Sequence, residues 1–167
     1  MKVLTARLEL VPVTLEIVEA DLHRRDELPV LLNVGIADGW PPPLMDVTAM
    51  QRMKQSLIDD PTLPPWTAWY WITREPRVLI GASGFKSRPK DGVVEIGYSI
   101  APEFQRRGLA TEAVRAMTEW AFANGVERVF AETLPELIAS QKLLLRCGFT
   151  FVGEGSEPGV LRFERHR

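Results

Sequence analysis

Residues 95–113, EIGYSIAPEFQRRGLATEA, decide the fold, because they predict a strand that passes through a short turn directly into a helix. Pro102 ends the strand pattern, and an apolar stripe at helical spacing begins at Ala110. The first backbone N–H groups of such a helix have no partner inside it and lie at the positive end of its dipole. Gly108 has no Cβ and lets the backbone approach a phosphate. The stretch therefore predicts an anion site between Gln105 and Thr111.

Two common nucleotide-binding motifs are absent from this stretch. No Gly-Lys-Ser or Gly-Lys-Thr follows as in a Walker loop, and the three spaced glycines of a dinucleotide fingerprint are missing. Arg106 and Arg107 add positive charge locally to a chain whose formal net charge is −2. Because 20 Lys and Arg stand against 22 Asp and Glu, there is no general basic field, and we expect neither a nucleic-acid partner nor a membrane partner.

The length and composition are those of one globular domain. A chain of 167 residues with 46% apolar and 25% charged residues can bury a single core, so we expect one domain over residues 1–167. Cys147 is the only cysteine, and His23 and His166 have no neighbouring ligands, which argues against an internal disulfide and a metal site. The amino terminus lacks the apolar segment of a signal peptide, and no apolar run could span a bilayer. We expect a cytoplasmic protein.

Strands and helices are predicted on both sides of the central stretch. Thr14 is a helix cap after a strand over residues 7–13, a short helix is expected from Asp26 to Gly35, and a helix from Asp46 to Asp60 lies between two Pro-rich loops. Further strands are predicted over residues 67–73, 77–85, 93–100, 128–133, 149–153 and 160–163, and further helices after Pro102 and over residues 137–146, with Pro135 in the first turn of the last helix. The first three of these strands have the pattern of an antiparallel meander.

The stretch around Gly108 resembles the GNAT N-acetyltransferase superfamily. The family's loop pattern Gln/Arg-x-x-Gly-x-Gly/Ala matches residues 105–110. The resemblance to the Rim-type branch, the ribosomal-protein alanine/serine N-acetyltransferases, rests on EIGY at 95–98, Ala110 to Val114, Ser140, LLRCGF at 144–149, TARLEL at 5–10 and VLRF at 160–163. Together with the order of elements it implies a single α/β (α+β) domain with a mixed, largely antiparallel sheet flanked by helices.

The resemblance implies transfer of an acetyl group from acetyl-CoA to a primary amine, on a protein N-terminus or a small molecule, by direct attack in a ternary complex. The turn would bind the CoA pyrophosphate, the strand from Ile96 to Ile100 would pair with pantetheine, and a splayed gap beside the strand would hold the thioester. The cofactor-binding residues implied in this way are Ile96, Tyr98, Ser99 and Ile100 on the strand, and Gln105, Arg106, Arg107, Gly108, Leu109, Ala110 and Thr111 in the turn and helix.

Two positions depart from the family pattern. Leu137 stands where relatives often have an Asn, and Leu144 stands where many members have a Tyr general acid. Ser140 is then the candidate that protonates or hydrogen-bonds the leaving thiolate, or else an ordinary polar residue of its helix. Because Leu137 cannot replace the hydrogen bonds of an Asn, an acyl-CoA-binding module with little or no catalysis is the alternative function.

Three further residues have more than one interpretation. Glu95 is either the base that removes the amine proton, directly or through water, or a solvent-facing carboxylate on the sheet. Trp40 is a candidate wall of the substrate pocket, and the helix from Asp46 to Asp60 is either a lid over the acceptor or a packing helix. Cys147 is expected to be a buried small residue. The acceptor amine, the preferred acyl chain and the choice between a monomer and a homodimer stay open at this stage.

Overall fold

A mixed sheet of nine strands and five α-helices form the computed structural model, which describes residues 1–167. The strands are β1 (Val3–Leu4), β2 (Leu8–Pro12), β3 (Gly35–Ile36), β4 (Ala68–Thr73), β5 (Val78–Phe85), β6 (Val93–Ile100), β7 (Arg128–Thr133), β8 (Thr150–Glu154) and β9 (Leu161–His166). The helices are α1 (Leu15–His23), α2 (Leu28–Leu32), α3 (Val47–Asp59), α4 (Leu109–Ala123) and α5 (Ile138–Arg146). The predicted sheet with flanking helices is confirmed.

Local signals in the sequence set several helix ends. Thr14 caps α1 by accepting a hydrogen bond from the Ile17 N–H, and Asp46 caps α3 by accepting one from the Ala49 N–H. The helix expected from Asp26 is split into a 3-10 turn, Arg25–Glu27, and the five-residue α2. The last helix is confirmed to within one residue, since α5 spans Ile138–Arg146, but Pro135 lies in the preceding loop and not in its first turn.

The sheet order places β6 next to two very different partners. The order is β1-β2-β4-β5-β6-β7-β9-β8, with β3 beside β5. The antiparallel contact of β6 with β5 continues to Ile100, whereas its parallel contact with β7 covers only Val93–Glu95 against Arg128–Phe130. Beyond Glu95 the two strands separate, so one edge of β6 is open from Ile96 to Ile100.

Each face of the sheet covers a separate hydrophobic cluster. The face toward α4 and α5 buries Trp69, Trp71 and Met117, and the opposite face buries Tyr70 and Met50 against α1 and α3. Alternate residues of β4 point to opposite faces, which explains why neighbouring aromatic residues belong to different clusters. No helix combines the length and the apolar character needed to cross a membrane.

Candidate active site

The turn between β6 and α4 presents an uninterrupted row of backbone donors. Arg106 and Gly108 have left-handed φ values of 61° and 75°, and α4 begins at Leu109. None of the six N–H groups from Arg106 to Thr111 donates to a protein acceptor, and the first helical bond runs from Glu112 N–H to the Gly108 carbonyl. Residues 105–108 are exposed, whereas the side chain of Leu109 is buried and Ala110 and Thr111 are half-buried. The position of the six N–H groups at the amino end of a 15-residue helix is suited to an anion.

Arg7 holds this turn in place, although sequence reasoning missed its role. Its Nε donates to Glu112 Oε2 at 2.7 Å, and its Nη1 donates to the carbonyl oxygen of Arg107 at 2.9 Å. Its Nη2 lies 3.4 Å from the position that a Cβ on Gly108 would occupy. Thr5 Oγ1 donates to the other oxygen of Glu112 at 2.6 Å. The guanidinium group of Arg7 therefore lies beside the row of unpaired N–H groups.

Backbone groups of β6 face the gap beside β7. The bond from Lys86 N–H to the Glu95 carbonyl fixes which residues of β6 bond to β5. Because ladder bonds alternate along an antiparallel strand, Tyr98 and Ile100 direct their N–H and C=O groups to the other edge. The side chains of Ile96 and Ile100 are buried in the core under α4. At these positions the backbone, and not the side chain, is accessible from the gap.

Tyr98 and Ser140 meet across this gap. The Tyr98 hydroxyl lies 2.8 Å from Ser140 Oγ, and either atom can be the donor. Burial raises the pKa of Tyr98 to about 12, against the opposing effect of the hydrogen bond with Ser140. The tyrosine therefore keeps its proton at neutral pH and can only donate or accept a hydrogen bond. Ser140, on α5, is half-buried and stands at the open edge of β6.

Glu95 lies on the opposite face of the sheet, at the point where β6 and β7 separate. Its residue pair with Phe130 is the last contact between the two strands. Burial raises the pKa of the Glu95 carboxyl; the Lys86 ammonium opposes this effect, the Glu132 carboxylate adds to it, and Arg162 opposes it. A half-buried carboxylate with a raised pKa is a better proton acceptor than a fully solvated one.

A cavity of about 220 Å³ lies on the same face of the sheet as Glu95, between α3 and the sheet, although Glu95 itself does not line it. We call it the front cavity; it is lined by residues 44–45, 49–50, 53, 67–68, 82–86 and 97–99. Met50 and Met53 of α3 form part of its wall, and Gly97 and Ser99 of β6 form part of its floor. The helix expected to be either a lid or a packing helix thus packs on the core through Met50 and also lines the cavity.

Three other residues singled out in the sequence do not line this cavity: Trp40, Cys147 and Leu137. Trp40 is 8% exposed, and its Nε1 donates to the buried Asp21, so it packs in the core and is not among the residues that line this cavity. Burial raises the pKa of Cys147 to about 11, which leaves no reactive thiolate. Leu137 precedes α5 without a capping hydrogen bond and is 45% exposed. No cluster of three or more His, Cys, Asp or Glu side chains could hold a metal ion.

Comparisons with known proteins agree on one family. The family model described as acetyltransferase (GNAT) domain matches residues 7–150. The uncharacterized N-acetyltransferase YoaA of Bacillus subtilis (strain 168) is 36% identical over 96 residues, which are 56% of this chain and 51% of that protein. The chain thus spans about half the length of this curated relative.

Two solved structures share the fold over the whole chain. The ribosomal-protein-S5-alanine acetyltransferase of Vibrio fischeri has a TM-score of 0.68 at 19% identity, and the match covers 99% of this chain and 96% of that chain. RimL, a ribosomal L7/L12 alpha-N-protein acetyltransferase solved with coenzyme A, has a TM-score of 0.68 at 20% identity and covers 99% and 98%. At these identities the likeness is one of fold.

The contacts of Glu112 lead to a pH-dependent stability. Burial alone would raise the pKa of Glu112, but the hydrogen bonds from Thr5 and Arg7 outweigh it and lower the pKa below the ordinary 4.5. The ionised carboxylate therefore stabilises the fold above about pH 4.5, and this contribution is lost as the pH falls through the lowered pKa. We expect Glu112→Gln to reduce the free energy of unfolding at pH 7 by about 1–3 kcal/mol, measured in urea.

The matched control is Glu136→Gln, which removes an exposed carboxylate without a partner. It should change the free energy of unfolding by less than about 0.5 kcal/mol. The difference between wild type and Glu112→Gln should shrink as the pH is lowered below 4.5. A difference that stayed constant down to the acid transition would contradict the role given to the carboxylate charge.

Proposed function

The chain belongs to the GNAT acetyltransferase family, and we propose that it transfers an acetyl group from acetyl-CoA to a primary amine by direct attack in a ternary complex. The row of six unpaired N–H groups from Arg106 to Thr111, beside the open edge of β6, supports this proposal most directly. A diphosphate matches such a row in charge and in hydrogen-bond polarity. The pantetheine amides match the backbone groups of Tyr98 and Ile100, to which they would add as an extra strand.

The charges around the turn fit a polyanionic ligand. Arg106 and Arg107 form no ion pair with any carboxylate, and Arg7 shares its charge with Glu112 alone. Arg107 lies over the ring of Phe104, 5.1 Å from its centroid, so its guanidinium group remains near the turn. Three guanidinium groups beside unpaired N–H groups form a local positive field in a chain of net charge −2.

Acetyl-CoA would supply the acetyl group already activated as a thioester. Glu95 would take the proton from the acceptor amine, either directly or through one water. The N–H groups of β6 that face the gap would donate to the oxygen that becomes negative during attack. Cys147 would not act as a covalent carrier in this reaction, since burial raises its pKa to about 11 and keeps the thiol protonated at neutral pH. Residues 1–167 would thus act as one catalytic unit.

Ser140 would stabilise the departing sulfur by hydrogen bonding. A tyrosine with a pKa of about 12 cannot hand its proton outright to a thiolate whose ordinary pKa is about 8.5. Tyr98 can instead donate its hydrogen to Ser140 Oγ, which leaves the single hydroxyl hydrogen of Ser140 free to point at the sulfur. Tyr98 is therefore a positioning residue for Ser140, in addition to offering its backbone groups to pantetheine.

Loss of acetyl-CoA binding on substitution of Gly108 is the first expected result. Wild type should bind acetyl-CoA with micromolar affinity in calorimetric titration, and Gly108→Glu should weaken binding at least tenfold, because it places an anion in the row of donors. Gly125→Glu is the matched control, since Gly125 lies at the other end of α4 with a similar φ of 90° and open space around it. Unweakened binding by a folded Gly108→Glu variant would refute the assigned position of the pyrophosphate.

Replacement of Glu95 by Gln should lower kcat about 10²–10³-fold with unchanged affinity for acetyl-CoA. Because the pKa of Glu95 is raised above 4.5, the activity of the wild type should decrease as the pH is lowered through this raised pKa. This acid limb of the pH profile should be absent in the variant. Glu132→Gln should move the limb to lower pH, since the Glu132 carboxylate helps to raise that pKa.

A wild-type rate in Glu95→Gln would transfer the role of base to solvent. If the wild-type protein bound acetyl-CoA and acetylated no amine, the result would support the alternative function, an acyl-CoA-binding module with little or no catalysis.

Substitution of Ser140 by Ala should lower kcat about tenfold, the worth of one hydrogen bond, with little change in the KM for acetyl-CoA. Tyr98→Phe should have a smaller effect in the same direction, because Ser140 keeps its hydroxyl. Ser56→Ala, which removes an exposed helical hydroxyl bonded only to the Arg52 carbonyl, is the control. A kcat within twofold of wild type for Ser140→Ala would leave Ser140 as an ordinary residue of its helix.

A further inference from the structure

The front cavity is small, apolar and open to the reacting end of the proposed site. Nine of its 15 lining residues are hydrophobic, and its volume of about 220 Å³ is below the roughly 300–1,000 Å³ of pockets for drug-sized ligands. Met45, Met50 and Met53 contribute thioether side chains, which adapt to different apolar shapes. Its floor is the stretch of β6 whose outer edge is open beside β7. A group of the size of one amino-acid side chain suits this space.

The charge at the cavity comes from a single side chain. No Asp or Glu lines the front cavity, and Lys86 is its only charged residue. The stem of Lys86 lies over Gly97: a Cβ at that position would be 3.5 Å from Lys86 Cε and 3.6 Å from Nζ. The ammonium group has no ion pair and no hydrogen bond within the protein. It is exposed at the mouth of the cavity and can receive an anion.

Lys86 lines both the front cavity and the polar cavity that contains Glu95. A neighbouring polar cavity is lined by Lys86 and Glu95, and also by Lys90 and Arg128. Lys86 and Glu95 lie opposite each other on adjacent strands, joined by the Lys86 N–H to Glu95 carbonyl bond. The proposed base, an unpaired ammonium group and an apolar cavity thus meet at one point of the sheet.

Given the transfer to an amine proposed above, we propose that the acceptor is a free α-amino acid with an apolar side chain. Its carboxylate pairs with Lys86, its side chain enters the front cavity between Met50 and Met53, and its amine faces Glu95. In an α-amino acid the carboxylate, the side chain and the amine are all attached to one carbon atom. Lys86, the front cavity and Glu95 likewise lie around one point of the sheet. Polyamines and aminoglycosides are disfavoured, because their additional cations would be repelled by Lys86 and would have no carboxylate to pair with among the residues that line this cavity.

The reaction balances without any further reactant. The amine nitrogen forms a bond to the acetyl carbonyl carbon, and the bond from that carbon to sulfur breaks with its electron pair on sulfur. One amine proton passes to Glu95 and from there to solvent, and the CoA sulfur is released as thiolate or, after taking up a proton, as thiol. The products are the N-acetyl amino acid and free CoA.

A protein N-terminus fits these features less well. In a peptide the carboxylate next to the amine is replaced by an amide carbonyl, which leaves the Lys86 charge without compensation. Discrimination between the free acid and its neutral analogues is therefore the decisive property.

The test compares L-methionine, L-methioninamide, a methionyl-alanine dipeptide and spermidine as acceptors of the purified full chain with acetyl-CoA, by mass spectrometry and release of CoA thiol. We expect kcat/KM for methionine to exceed the values for the amide and dipeptide at least tenfold, and spermidine not to react. Lys86→Gln should reduce the preference for methionine over the amide to near one, and Lys86→Arg should keep most of it. Titration of the CoA-saturated protein with each of these compounds should show the tightest binding for methionine and weaker binding for the amide and the dipeptide.

Lys90→Gln is the matched control, because it removes an equal unpaired charge from the neighbouring cavity. It should retain the preference for the acid, and a loss equal to that in Lys86→Gln would overturn the direct pairing. Faster acetylation of the dipeptide, the amide or spermidine would overturn the inference while leaving the proposed function intact. Binding of acetyl-CoA with no acetylated amine in a wider panel of peptides and amines would overturn the proposed function itself.

Discussion

The separation of β6 from β7 after Glu95 is the constraint on which the rest of the site depends. Both strands stay in the sheet because each has a second partner: β6 pairs with β5 to Ile100, and β7 pairs with β9 to Thr133. Only one edge of each strand loses its ladder bonds. The opening exposes backbone donors and acceptors of β6 without breaking the sheet. In the proposed site, one extended ligand would run along this edge from the amino end of α4 toward Ser140 and Glu95.

The electrostatics of the site are local and owe little to the overall charge of the chain. Six unpaired N–H groups and the guanidinium groups of Arg106 and Arg107 lie within one turn of the start of α4. Arg7 connects this turn to the amino-terminal segment through Glu112 and the Arg107 carbonyl. Because these bonds join segments about 100 residues apart in sequence, the geometry of the anion site depends on correct packing of the whole sheet and not on the turn alone.

The parts of the structure that sequence reasoning predicted well are those controlled by local chemistry. The strand, turn and helix of residues 95–113 follow from periodicity and Gly108, and the caps Thr14 and Asp46 mark real helix starts. Contacts between distant segments were not predictable, such as the bond of Arg7 to Glu112 or the position of Lys86 over Gly97. Such contacts follow from strand register, which no short sequence window contains.

The position of Trp40 also depends on contacts with residues that are distant in the sequence. Its Pro-rich neighbourhood favoured a place on a pocket wall, but its indole N–H donates to Asp21, a fully buried carboxylate that also accepts from Tyr70 at 2.5 Å. A buried carboxylate requires several donors, and this requirement draws Trp40 into the core. Nothing adjacent to Trp40 in the sequence reveals that need, because the three residues lie in different elements.

In the proposed reaction, Lys86 would link recognition of the acceptor to the strength of the base. Its ammonium group lowers the pKa of Glu95, against the larger effect of burial. A carboxylate paired with Lys86 would cancel part of that influence, so the pKa of Glu95 would rise when an amino acid is bound. The base would then be strongest with the right acceptor in place and weaker in the empty site. An amine without a carboxylate would meet both an unpaired cation and a weaker base, which makes one residue responsible for two components of specificity.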